Sequence, residues 1–155
     1  MDHLERRHCI VLQGTIARVF PLFTPIGETY WVDDWAPEFL HPGSGDTVEG
    51  MVFRTTHGAE ATLWACVDWD PSRYRVRYAR VTPSSRFGFV EVACRPAPHD
   101  RTEAAISYTF TALTSEGRTY LASLTASVFE EMIEDWRMRI DRWLAQSPAP
   151  TPARS

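Results

Sequence analysis

At 155 residues, with 44% hydrophobic and 23% charged positions, the chain has the size and balance of one globular domain with a single core. A net charge of −4 argues against general affinity for the nucleic-acid backbone, and no apolar run approaches the roughly 20 residues that a membrane helix needs. All 16 basic residues are arginine and asparagine is absent, which removes lysine Schiff-base chemistry, pyridoxal-phosphate attachment and the phosphate-binding lysine of a P-loop.

The first eight residues are charged and the apolar stretch 9–12 is far shorter than a secretory-signal core, so a cytoplasmic protein is expected. Cys9, Cys66 and Cys94 are widely spaced, each within a predicted strand, and read as small buried hydrophobes rather than a disulfide framework. Residues 6–16 are β-branched and predict a first strand. In the aromatic-rich segment 17–35, Thr24-Pro25 suits a helix N-cap followed by proline at the first helical position, which predicts one short helix before Thr24 and another from Pro25 to about Trp31. Pro37, Pro42, Gly43 and Gly45 mark a loop.

From residue 48 to 113 the period becomes two. Met51, Phe53, Thr55 and His57 alternate with Val52, Arg54 and Thr56, and Ala61, Leu63, Ala65, Val67 and Trp69 alternate with Thr62, Trp64, Cys66 and Asp68. Tyr74, Val76 and Tyr78 alternate with Arg73, Arg75 and Arg77, which places the aromatic and aliphatic side inward and an arginine row, extended by Arg86, outward. Pro83 and the segment 96–100 turn the chain twice more, and Ala104, Ile106, Tyr108 and Phe110 share one face of the last strand. Short links predict an antiparallel meander. Residues 116–144 then predict one long amphipathic helix, with Leu121, Leu124, Val128, Met132, Trp136, Ile140 and Trp143 on its apolar stripe and Asp135–Arg139 as an i,i+4 pair. Residues 1–145 are thus read as a single domain, and 146–155 as a disordered proline-rich tail. The fold class is α+β: a curved antiparallel sheet of about six to seven strands wrapped around a long C-terminal helix, with a cavity between them.

Several strings carry a resemblance across most of the chain. They are Val19-Phe20-Pro21-Leu22-Phe23-Thr24-Pro25, Gly27-Glu28 with Trp31, residues 35–42, Thr62-Leu63-Trp64 ahead of Asp68-Trp69-Asp70, residues 78–83, and residues 112–117. With the element order, they resemble a bacterial branch of the SRPBCC superfamily, the helix-grip proteins that include START-like lipid carriers, birch-pollen allergens and polyketide cyclases. The resemblance implies a hydrophobic or aromatic small molecule, lipid- or polyketide-like, held between sheet and helix. It also implies an alternative, a cyclase or dehydratase using acid/base residues in the same cavity. A third reading is an interaction domain with a collapsed cavity.

Candidate site residues follow from strand phase. If the Tyr74–Tyr78 series continues, Arg80 faces inward near the cavity rim; otherwise it is solvated. Glu91 is a buried acid/base candidate if Phe87, Phe89 and Ala93 face inward, and exposed if Val90, Val92 and Cys94 do. His57, closing a strand before Gly58, is a second acid/base candidate at the cavity mouth. Tyr78 and Tyr108 supply polar tips, while Trp31, Trp35, Phe53, Phe110, Met132 and Trp136 supply apolar lining. The five histidines lack metal-ligand spacing and no Gly-x-Ser-x-Gly elbow is present, so neither metal nor cofactor is expected. The expected assembly is a monomer or homodimer.

Overall fold

The computed structural model describes residues 2–147. Seven antiparallel strands form one sheet: β1 (His3–Leu12), β2 (Glu38–His41), β3 (Val52–His57), β4 (Glu60–Asp70), β5 (Arg75–Thr82), β6 (Arg86–Ala97) and β7 (Arg101–Ala112), in the order β1-β7-β6-β5-β4-β3-β2. Strands β2 to β7 are a meander, and β1 returns to pair with β7 from His3 opposite Thr111 to Leu12 opposite Thr102. Helix α1 (Ile16–Val19) runs into two 3-10 turns, Phe20–Phe23 and Gly27–Tyr30, and the chain ends in helices α2 (Ser115–Ser123) and α3 (Ala126–Gln146). This is the helix-grip architecture expected of the sequence. Among the described residues no helix is long and apolar enough to cross a membrane. Most of the expected proline-rich tail lies outside the described residues, and Gln146 is still helical.

Four local expectations need correction. The first strand begins and ends about four residues earlier than its β-branched run suggested, because β7 offers partners only up to Leu12. Residues 38–41, read as loop, add a short edge strand to β3. Cys66 and Cys94 are buried, but Cys9 is exposed, since in β1 Ile10 and Leu12 take the core face. Arg86 does not join the outer arginine row; its guanidinium is buried, paired with Glu60 at 3.2 Å and stacked 3.6 Å from the Tyr120 ring centroid.

The terminal helix is also not continuous. Thr125 caps a fresh start, its hydroxyl accepting from the Val128 N–H at 3.2 Å, and the Arg6 Nε–H donates to the Leu124 carbonyl left free by the break at 3.0 Å. Restarting at Thr125 rotates the buried face. Phe129, Ile133, Ile140 and Leu144 are buried, whereas Val128, expected on the stripe, is 46% exposed and Met132 is half-buried. The helix is tied to β1 by His8–Glu134 at 3.1 Å and by the Gln13 N–H donating to Asp141 at 2.9 Å. Asp135–Arg139 pairs as expected, at 2.7 Å.

On the concave face the register lines up Cys66, Tyr78, Val90 and Tyr108 across four strands, and beside them Trp64, Arg80, Gly88 and Phe110. Gly88 has a packing reason. A Cβ there would run into the Phe110 ring and come within 2.8 Å of the Thr109 carbonyl, so the missing side chain lets Phe110 and Arg80 occupy the row from either side.

Candidate functional site

A cavity of about 140 Å³ lies between the concave face and the segment that follows β1. Phe53, Trp64, Tyr78, Arg80 and Tyr108 project from the sheet, Trp136 from α3, and Glu28, Trp31 and Trp35 from the covering segment. The covering segment folds inward for a local reason. The Thr24 hydroxyl accepts from the Gly27 N–H at 3.0 Å and donates to the Pro21 carbonyl at 2.7 Å, and Gly27 lies so close to that carbonyl that no Cβ fits. The following turn, Gly27–Tyr30, carries Glu28 onto the cavity, and Trp31 three residues later joins it.

The lining is an aromatic box. Phe53 and Trp64 stack with ring centroids 5.5 Å apart, and Trp35 and Tyr78 meet both edge-on at 6.1–6.3 Å. Trp31 packs against Trp136 at 5.5 Å, and Tyr108 reaches Trp136 at 6.1 Å. Many polar tips are used internally. The indole N–H groups of Trp31, Trp35 and Trp64 donate to the Leu22 carbonyl, the Pro25 carbonyl and the Thr55 hydroxyl at 2.8, 2.8 and 2.9 Å, and the Tyr78 hydroxyl donates to the Phe23 carbonyl at 2.9 Å.

Three ionisable groups of the lining are not so used: among the described residues Glu28, Arg80 and Tyr108 make no side-chain hydrogen bond. Burial pushes the Glu28 carboxyl up to about 8, against partial relief from the nearby Arg80 charge, so at neutral pH it is mostly protonated and is a hydrogen-bond donor. Burial lowers the Arg80 guanidinium from its ordinary value, and the like charge of Arg86 adds to this; it remains a cation. Burial raises the Tyr108 hydroxyl. Arg80 lies over Trp64 with its guanidinium carbon 4.3 Å from the ring centroid, and 5.5 Å from that of Phe110.

Arg80 also opens onto a second space. An outer cleft of about 440 Å³ runs past His57, Glu60, Arg86 and Tyr120, and it shares Val32, Trp35, Trp64 and Arg80 with the inner cavity. These four side chains are the partition between the two.

Of the candidates named from sequence, Trp31, Trp35, Phe53, Tyr78, Arg80, Tyr108 and Trp136 come together around the inner cavity. Phe110 is fully buried beneath Arg80 and Met132 is packed against the core; neither lines it. His57 is exposed on the rim of the outer cleft. Glu91 is a correction: Val90, Val92 and Cys94 take the concave face, so its carboxylate lies on the outer face and accepts from Arg75 at 2.6 Å. Sequence reasoning missed Glu28 and Trp64. The three-residue spacing of Glu28 and Trp31 was the available signal for the first, and the Thr62-Trp64-Cys66 alternation for the second.

No family model and no curated protein matches the sequence, so relatives come from structure alone. Norcoclaurine synthase from Thalictrum flavum, in complex with dopamine and hydroxybenzaldehyde, superposes with a TM-score of 0.68 at 8% identity, over 96% of this chain and 90% of that one. Ara h 8.0201 gives 0.66 at 13%, over 94% and 99%, and TTHA0849 from Thermus thermophilus gives 0.68 at 16%, over 94% and 100%. With seven antiparallel strands, two short helical turns after β1 and a C-terminal helix, the chain has the Bet v 1-like helix-grip fold.

Proposed function

We propose that this protein binds a small aromatic molecule in the inner cavity, with its ring in the box formed by Phe53, Trp64, Trp35 and Tyr78 and its polar end toward Glu28, Arg80 and Tyr108. One observation carries the reading: an aromatic-lined space whose lining keeps three ionisable groups without internal partners. Size narrows the ligand. A space of about 140 Å³ matches the ~150 Å³ apolar cavity that accommodates benzene. A single ring with a short substituent therefore fits the cavity as it stands, while a lipid- or polyketide-like chain requires the partition at Trp35, Trp64 and Arg80 to part and join it to the outer cleft.

A second reading, an acid–base enzyme of the cyclase or dehydratase type, is favoured by Glu28. A carboxyl that titrates at about 8 exchanges its proton within the physiological range, which suits a general acid or base. In this reading Glu28 takes the role that sequence phase assigned to Glu91.

The test uses the tryptophans themselves, since Trp31, Trp35, Trp64 and Trp136 line the cavity. Titration with phenol is expected to change their fluorescence saturably. Val92→Phe, which fills the same space, is expected to weaken that binding at least about tenfold, the affinity of a ~1.4 kcal/mol loss. The absence of a saturable change in the wild-type protein, or an undiminished one in the filled variant, refutes the cavity as the binding site. Native mass spectrometry of protein purified without detergent then supplies the natural ligand. If that ligand is chemically altered on incubation, Glu28→Gln is expected to stop the alteration and leave binding in place.

A further inference from the structure

We propose that the ligand of the inner cavity is an aromatic carboxylate whose carboxylate seats on Arg80; this deepens the binding reading above and rests on it. The argument begins from charge pairing. Arg86, the neighbouring buried arginine, has a carboxylate partner in Glu60 and a hydroxyl partner in Ser85 at 2.9 Å. Arg80 has neither. No carboxylate lies within 4 Å of its guanidinium among the described residues; the Nε atoms of both arginines are buried without a partner, but only Arg86 has its terminal nitrogens paired. Arg80 is half-buried, and a desolvated guanidinium N–H without a partner is costly, a cost that an anionic ligand would offset.

Geometry selects the shape of that counter-charge. The guanidinium carbon lies 4.3 Å from the Trp64 ring centroid and the side chain lines both cavity and cleft, which leaves its in-plane N–H groups to hydrogen-bond a ligand. Those in-plane groups form a fork that matches a carboxylate, and a lysine ammonium in the same place would not impose this. Gly88, opposite Arg80 in the register, lets the Phe110 ring pack across the row beside the guanidinium.

Surrounding chemistry favours an anion over a cation. Glu60 is engaged by Arg86, and Asp33 by Arg139, while Asp34 and His57 are exposed at the cleft rim. That leaves Glu28 and Tyr108 on the inner side, both presenting O–H donors, with Arg80 between the two spaces. The aromatic box fixes the remainder of the ligand as a ring.

The experiment compares benzoate with benzamide, its neutral isostere, at fixed ionic strength on the whole protein, by calorimetry and tryptophan fluorescence. Benzoate is expected to bind at least about tenfold more tightly, since a carboxylate adds the opposite charge and a second acceptor for the guanidinium fork, whereas the amide offers one neutral carbonyl. Arg80→Met, which keeps an unbranched apolar stem over Trp64 and removes the unpaired charge, is expected to bind both equally, with the larger loss of affinity falling on benzoate. The Arg80 Nε–H resonance of the wild-type protein, shielded by burial, is expected to shift with benzoate and stay in place with benzamide, a readout independent of the variant. Equal affinities in the wild-type protein, a benzoate preference that survives in Arg80→Met, or an unmoved Arg80 resonance overturns the carboxylate inference while leaving aromatic binding intact. Failure of both probes to bind overturns the cavity reading itself.

Discussion

Glu28→Gln tests the electrostatics on which the site depends. In the folded protein the Glu28 carboxyl keeps its proton up to about pH 8, whereas in the unfolded chain it releases it near 4.5. The raised value means that the folded state holds an extra proton between these limits, so stability conferred by the neutral form is complete below 4.5 and falls as pH rises through 8. The slope is at most about 1.4 kcal/mol per pH unit for one group. Over the interval from 4.5 to about 8 the ceiling is roughly 5 kcal/mol, of which about 3 kcal/mol is lost by pH 7. The carboxyl faces a cavity that water can enter, which reduces both figures. Glutamine keeps the shape and the donor but cannot ionise. Urea unfolding of both proteins at pH 5, 6, 7 and 8 is therefore expected to give a difference that is smallest at pH 5 and shifts steadily in favour of the variant as pH rises. All other titrating groups are common to the pair and cancel. A difference that stays constant across this range would refute the buried, neutral carboxyl and with it the donor role assigned to Glu28.

The rotated face of α3 makes a paired prediction. Phe129→Ala is expected to cost about 3–5 kcal/mol in chemical denaturation, as large-to-small changes in a core do, and Val128→Ala less than about 0.5 kcal/mol; the reverse order would restore the unbroken helix. Glu91→Gln, on the outer face of β6, is expected to leave phenol affinity unchanged by fluorescence titration, and a severalfold loss would return Glu91 to the site.

Much of the architecture was legible in the order of residues. The change from period two to period 3.6 near residue 114, the short polar links, and Thr24-Pro25 between two aromatic clusters specify a meander closed by a helix, with a short helical insert after the first strand. These are local signals: alternation, turn chemistry and capping act over a few residues and survive without knowledge of partners. Val76 and Tyr78 also took the inward face expected of them, because their alternate positions were arginines and only one face was apolar, whereas Tyr74 lies in the turn before β5.

Face and phase failed where both alternatives were apolar. In β6, Phe87 and Phe89 compete with Val90 and Val92, and only pairing with β5 and β7, which sets Val90 between Tyr78 and Tyr108, decides that Glu91 points outward. In the last helix, one capped break at Thr125 shifted the buried stripe by one residue, a rotation that a stripe of apolar residues on nearly every turn conceals. The site itself was a tertiary product. Glu28 and Arg80 are far apart in sequence, and their partnerless state follows from what surrounds them: Glu60 is drawn to Arg86, Trp64 covers the guanidinium, and Gly88 admits the apolar Phe110 ring beside it. Composition and periodicity determine that a sheet wraps a helix. Which ionisable groups are left desolvated and unpaired between them depends on long-range packing, because desolvation is a property of the neighbours and not of the residue.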